Sequence, residues 1–224
     1  MVGATGVLGG GIARSLHREG ARLVLAGRDK ARLEALAAEL DDAPTTEFDA
    51  MDLDGCAAVV NEAADVLGGL DVLVVAIGVA AFGPAETTGD EVTEHLLTVN
   101  LMAPMALTRA AVQRFDGGGC VAVLSAILAD YPTAGMAAYT ASKAGLSAWL
   151  TALRHEQRRR GVTVFDIRPP HIDTGLAERA IDGTAPPMKA AAEADEVVEM
   201  IVAGIRDGRR ELRFDLQKRE FAGR

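Results

Sequence analysis

Aromatic side chains are scarce in this sequence: Phe, Trp and Tyr together make up 4% of its 224 residues, and only two are tyrosines. A core must therefore be packed from small and aliphatic side chains, which suits helices lying close against a sheet. Cysteine is equally rare. Cys56 and Cys120 stand alone, with no C-x-x-C spacing and no neighbouring histidine, so both read as reduced packing residues. Basic charge is in short supply too: 23 Lys and Arg against 32 Asp and Glu leave a formal charge of −9. That balance argues against nucleic acid as a partner, and the Arg158-Arg159-Arg160 run reads as a solvated helix end. No apolar run reaches the length of a membrane span, and the N-terminus lacks the charged-then-apolar order of a secretory signal. A cytoplasmic protein without membrane partners is expected. His17, His95 and His155 have no partners at metal spacing, and "DLDG" at 52–55 lacks the later glutamate of a calcium loop. No metal site is expected.

What the chain does have is alternation. Hydrophobic residues make up 49%, enough for one sizeable core and too many for disorder. "ARLVLAG", "DVLVVAIG", "GCVAVLS" and "VTVFDIRP" have the length and composition of buried strands. Between them lie helical patterns: Ile12, Ala13 and Leu16 before Gly20, then Leu33, Leu36 and Leu40, then stretches near 90–115, 139–159 and 194–206. Leu146, Trp149, Leu150 and Leu153 follow helical spacing and read as core. Strand and helix taking turns predicts a parallel sheet covered on both faces, a doubly wound α/β fold. We find no repeat and no linker, so residues 1–224 read as a single domain. The Ala-, Pro- and Gly-rich stretch 175–193 is expected to be its mobile loop.

"GATGVLG" sets Gly3, Gly6 and Gly9 three apart, immediately before a helix. Glycines let the backbone turn tightly and approach a pyrophosphate, while the helix N-terminus offers free N–H groups. Such a turn is normally fed by a strand of about five or six residues, and only Met1 and Val2 precede Gly3. A gap is therefore expected between the strands near 22–26 and 71–77, and further apolar residues upstream are expected in the functional protein. The next strand ends in "AGRD". Asp29 lies near the position where an acid would hold an NAD ribose, but Arg28 precedes it and can pair with a 2′-phosphate through forked, charge-assisted bonds. NADP(H) is favoured over NAD(H).

These features, with Asp52, "AIG" at 76–78, Asn100, Ser125, Tyr139-x-x-x-Lys143 and the proline-rich turn 169–174, resemble the short-chain dehydrogenase/reductase family over essentially the whole chain. The resemblance implies a Rossmann-like NAD(P)-binding domain and a catalytic set of Tyr139, Lys143, Ser125 and Asn100. It further implies that Gly3, Thr5, Gly6, Val7, Leu8 and Gly9 border the cofactor phosphates. Asp52 and Leu53 would border the adenine, and Ala76, Gly78, Pro169 and Thr174 the rest of the cofactor. Tyr139 would exchange a proton with a carbonyl or alcohol oxygen. Lys143 would lower the tyrosine pKa and hold the nicotinamide ribose, and Asn100 would keep a water in the proton relay. A homodimer or homotetramer is expected, because the helix carrying Tyr139 often forms a dimer face in this family.

The sequence departs from the family pattern in four places. The usual Gly-x-x-x-Gly-x-Gly spacing becomes Gly-x-x-Gly-x-x-Gly. Val75-Ala76-Ile77-Gly78 replaces Asn-Asn-Ala-Gly. The usual serine position, thirteen before the tyrosine, is Ala126, with Ser125 one step earlier, and one step along a strand reverses the face. Pro169-Pro170 replaces Pro-Gly, followed by His171, which either overhangs the nicotinamide or sits in an exposed loop. Two functions stay open. One is an NADP(H)-dependent oxidoreductase acting on a small carbonyl or secondary alcohol. The other is a non-enzymatic dinucleotide-binding sensor or scaffold. An epimerase or dehydratase of sugar nucleotides is disfavoured by the short chain.

Overall fold

A computed structural model describes residues 1–223. Its helices are α1 (Val7–Arg18), α2 (Lys30–Glu39), α3 (Leu53–Leu67), α4 (Asp90–Leu97), α5 (Ala103–Arg114), α6 (Ala137–Gln157) and α7 (Ala194–Arg206). Its strands are β1 (Leu25–Gly27), β2 (Thr45–Glu47), β3 (Val72–Val75), β4 (Gly119–Leu124), β5 (Val162–Arg168), β6 (Glu211–Asp215) and β7 (Glu220–Gly223). The strands β3-β4-β5-β6 run parallel, β7 closes the edge antiparallel to β6, and β1 pairs with β2 in parallel.

The expected gap between β1 and β3 is closed at the end that matters. Val2 bridges to both Ala26 and Val75. Its N–H donates to Val74 O at 2.9 Å, its carbonyl accepts from Ala76 N at 2.9 Å, and Ala26 N donates to Met1 O at 2.8 Å. These bonds join the carboxyl ends of the flanking strands, where the chain enters the glycine-rich turn.

Period-2 alternation sorts β4 and β5 into two faces. Val121, Val123, Val162 and Val164 pack with residues of α3, α5 and α6, whereas Ala122, Leu124, Phe165 and Ile167 pack with Ile12 of α1 and the apolar stripe of α7. α6 shows why it lies where it does. Its buried positions are 139, 140, 142, 143, 146, 147, 150 and 153, one face at helical spacing. Trp149 is half-buried and donates through Nε1 to Thr108 Oγ1 at 3.2 Å.

Three elements differ from the sequence expectation. The helix expected over 90–115 is two helices joined by a π-turn, Thr98–Met102, centred on Asn100. α3 and the β6–β7 hairpin were not expected. The hairpin is closed by an edge-to-face pair of Phe214 and Phe221, centroids 5.1 Å apart. The loop over 175–193 is tied to the body by main-chain bonds, Phe82 N to Asp182 O at 3.0 Å and Ile181 N to Ala80 O at 2.8 Å. No helix among the described residues is long and apolar enough to cross a membrane.

Candidate active site

The carboxyl ends of the parallel strands open into one cleft, the place where this topology leaves a crevice. Its lining brings together Gly6, Val7, Leu8 and Gly9 of the first turn, Ala76 and Gly78 after β3, Ser125 and Ala126 after β4, Tyr139 and Lys143 of α6, and Pro169, His171 and Thr174 after β5. Phe82, Leu128, Met136, Ile172, Leu176 and Met188 give it an apolar wall.

The glycine-rich turn is dictated by close approach. Gly3 has φ +79°, and a Cβ there would stand 2.5 Å from Ala76 O; a Cβ on Gly9 would stand 2.1 Å from Gly3 O. No side chain caps α1, and its first turn carries no acid. Its leading N–H groups thus keep their affinity for an anion, and the turn fits the pyrophosphate of a dinucleotide. Thr5 lies just outside the cleft lining, where its carbonyl accepts from Arg32 at 2.7 Å.

Arg28 is exposed at the end of β1, and no ion pair engages it among the described residues. Asp29 caps α2, accepting from Arg32 N at 3.1 Å. Asp52 likewise caps α3, accepting from Gly55 N at 3.1 Å, with Leu53 opening that helix. Both acids therefore do local work at helix N-termini, and neither belongs to the cleft lining.

Asn100 is fully buried. Its amide nitrogen donates to Val79 O at 2.9 Å and to Ser142 Oγ at 3.1 Å, and its amide oxygen accepts from Val79 N at 2.9 Å. Both donor hydrogens of this side chain are engaged, so it clamps the segment after β3 to α6. The clamp also holds the segment that follows Val75 and Ala76, where the family pattern has asparagines. An added Cβ on Gly78 would lie 3.3 Å from both Asn100 Oδ1 and Lys143 Nζ, so these three residues converge.

Ser125 has partners that its sequence position did not reveal. Its hydroxyl bonds to Asp166 Oδ1 at 2.5 Å and to Ile167 O at 3.1 Å, and it is buried. The serine continues the face of Val121 and Val123, and it lines the cleft with its hydroxyl bonded to Asp166. Ala126, which follows it in the lining, has no hydroxyl to offer.

Tyr139 and Lys143 are buried at 7% and 4% exposure, and that decides their acidity. Burial pushes the Tyr139 phenol up to about 12. Burial pushes the Lys143 ammonium down to about 8, with the Asp166 carboxylate opposing. In the protein alone desolvation outweighs the expected lowering of the tyrosine by its lysine neighbour. Lys143 Nζ donates to Leu124 O at 3.2 Å.

Behind Ser125 lies a set of charges that sequence inspection missed. Asp166 is fully buried and accepts from Arg168 Nε at 2.7 Å; Arg168 also reaches Asp130 at 2.7 Å. Glu211 lies 3.4 Å from Arg154, 3.1 Å from Arg213 and 4.0 Å from Arg168. The signal was present: in "VTVFDIRP" an Asp and an Arg stand two apart in a buried run, hence on one face. Cys56 and Cys120 are buried, and burial pushes their thiols up to about 11 and about 12. No cluster of His, Cys, Asp or Glu among the described residues could hold a metal ion.

The strand order and the crevice at the head of α1 define a Rossmann-like α/β protein. A model of the short chain dehydrogenase family matches residues 1–184. The 3-oxoacyl-[acyl-carrier-protein] reductase FabG of Rickettsia conorii is 30% identical over 182 residues, 80% of this chain and 74% of that protein. The bovine dehydrogenase/reductase SDR family member 7B is 34% identical over 194 residues, 81% of this chain but only 59% of that longer relative. A short-chain dehydrogenase from Sphingobium yanoikuyae, solved with NADPH, superposes with TM-score 0.83 at 28% identity, covering 94% of this chain and 85% of that one. One from Burkholderia cenocepacia, solved with NADP, gives 0.82 at 26%, covering 92% and 88%. The chain belongs to the short-chain dehydrogenase/reductase family of oxidoreductases.

Proposed function

We propose that this protein is an NADP(H)-dependent reductase of a small, largely apolar carbonyl compound, with Tyr139 as the proton donor. One observation carries the reading: Tyr139 and Lys143 line the same cleft as the uncapped, glycine-rich head of α1. The NADP- and NADPH-bound neighbours and the reductase relatives support it.

A nicotinamide dinucleotide supplies the hydride when bound; the chain supplies the rest. The head of α1 offers N–H donors to phosphate, and Arg28 is placed to meet a 2′-phosphate with a forked pair of bonds. Tyr139 is protonated at neutral pH, the form that donates to a carbonyl oxygen gaining charge. Lys143, still cationic below about 8, favours the phenolate left behind. Asn100 acts here as a clamp that fixes Val79 and Ser142 and so the spacing of the cleft. The apolar wall selects an uncharged body for the substrate and excludes water from the reacting atoms. On this reading the protein is cytoplasmic and works as a homodimer or homotetramer, which light scattering checks as two or four times 23.4 kDa.

The test is NADPH oxidation against a panel of aldehydes and ketones. Tyr139→Phe should keep cofactor affinity and lose turnover by about 10²–10⁴; full turnover in that variant removes the assigned mechanism. One observation favours a second reading, a non-enzymatic dinucleotide-binding sensor: the Ser125 hydroxyl is tied to Asp166, so Tyr139 lacks a serine companion. Tight NADPH binding with no turnover on the whole panel would select it.

A further inference from the structure

Lys143 is the only one of the four lysines that is buried; Lys30, Lys189 and Lys218 are exposed. A buried ammonium needs a counter-charge or it loses its proton. Asp166 is fully buried in β5 and lies on the β4–β5 face that packs under α6. Ser125, which holds one oxygen of Asp166, directly follows Leu124, whose carbonyl holds Lys143 Nζ at 3.2 Å. The two charges thus converge on adjacent residues at the end of one strand.

We propose that Asp166 is a positioning residue: the internal counter-ion, fixed by Ser125 and Arg168, that keeps the Lys143 ammonium protonated and aimed into the cleft. The groups around the lysine fit this assignment. Tyr139 on its own helix is neutral at pH 7, and the π-turn offers only the uncharged Asn100. Arg168 is bonded to Asp166, and its charge is shared with Asp130 at 2.7 Å and Glu211 at 4.0 Å. Arg154 and Arg213 are drawn to Glu211. Among the described residues Asp166 is accordingly the one carboxylate in a position to oppose the desolvation of Lys143, and it acts in that sense. The Ser125 hydroxyl is one of the donors that hold this carboxylate in place. The catalytic consequence rests on the reductase reading above, but the protonation itself does not.

The experiment is carbon-detected NMR of the whole protein with ¹³C in lysine Cε and aspartate Cγ, titrated from pH 6 to 11, with Lys143 assigned by the signal lost in Lys143→Met. Lys143 should titrate well below the ordinary lysine value of about 10.4. The Asp166 Cγ signal should bend at the Lys143 midpoint, because each group senses the other's charge. In Asp166→Asn the proton affinity of Lys143 should fall about tenfold or more, whereas Ser125→Ala, which keeps the charge, should move it by much less. If Asp166→Asn does not fold with Arg168 left unpaired, Asp166→Asn/Arg168→Gln replaces it. An Asp166 signal with no inflection at the Lys143 midpoint overturns the proposal in the wild-type protein alone, as does an unmoved Lys143 in a folded variant. In turnover, Asp166→Asn should shift the optimum to lower pH, where a merely structural defect would depress the rate equally at every pH. A wild-type protein that shows the coupled titration but reduces no carbonyl keeps Asp166 as the counter-ion and removes the reductase reading instead.

Discussion

Replacing Lys143 by methionine should make the protein more stable while abolishing its turnover. Burial holds the ammonium near 8, against 10.5 for a free lysine, so the folded state binds that proton more weakly than the unfolded chain. Below pH 8 the lysine is charged in both states, and the penalty is largest, about 3 kcal/mol. Between 8 and 10.5 the unfolded chain holds the extra proton, so raising the pH relieves the penalty and wild-type stability climbs. Methionine has similar length and no charge. It forfeits the bond to Leu124 O, worth about 1 kcal/mol, which leaves a net gain of about 2 kcal/mol at pH 7. For a chain of this size that is a rise in Tm of roughly 4–8 °C. Calorimetric melting of both proteins from pH 6 to 9.5 checks it: the difference should be greatest at the acid end and shrink on approaching pH 9.5. A variant that melts at or below the wild-type temperature at pH 7, or a difference that grows with pH, would refute the claim that a charge is being held against its desolvation.

Arg28→Ala should weaken NADPH binding and leave NADH nearly unchanged by titration calorimetry; equal losses for both would remove the phosphate role. Gly9→Ala, whose Cβ would meet Gly3 O at 2.1 Å, should distort the turn and abolish binding of either cofactor, seen as loss of nucleotide-induced fluorescence. Asn100→Ala strands both main-chain groups of Val79 and should cost about 2–4 kcal/mol in urea unfolding. Carbonyl reduction should decline as the pH rises through about 8, where Lys143 loses its charge; a flat profile to pH 9.5 would contradict that.

Much of this molecule was legible in its sequence, for identifiable reasons. The apolar runs are short and separated by helical periods, so the parallel sheet followed. Gly3, Gly6 and Gly9 could be placed at the head of a helix because their spacing directly precedes a helical period and close approach requires them. Tyr139 and Lys143 share a helical stripe, so their common face was given by spacing alone. Ser125 was different. Its face depends on strand register, and its bond to Asp166 joins two neighbouring strands, which residue type alone does not reveal. Asp166 and Arg168 were overlooked because charges in an apolar strand look like interruptions until their partners, Asp130 and Ser125, are known. The π-turn left no trace because it is a matter of main-chain bonding, not composition. The C-terminal hairpin is held by Phe214 and Phe221 across a turn, a pairing that periodicity does not display.

That π-turn has a mechanical consequence. In a regular helix each residue advances the direction of its side chain by about 100°, so a turn wide enough to hold one more residue rotates everything after it. α5 follows directly and buries Ala103, Ala106, Leu107, Ala110 and Ala111. Those residues meet the sheet only because the rotation has already happened. Deleting one residue from Thr98–Met102 would therefore do more than remove a clamp at Asn100: it would turn the apolar side of the next helix away from β3 and β4. The clamp beside the cleft and the registration of the core are set by the same irregular turn, and neither can be adjusted without the other.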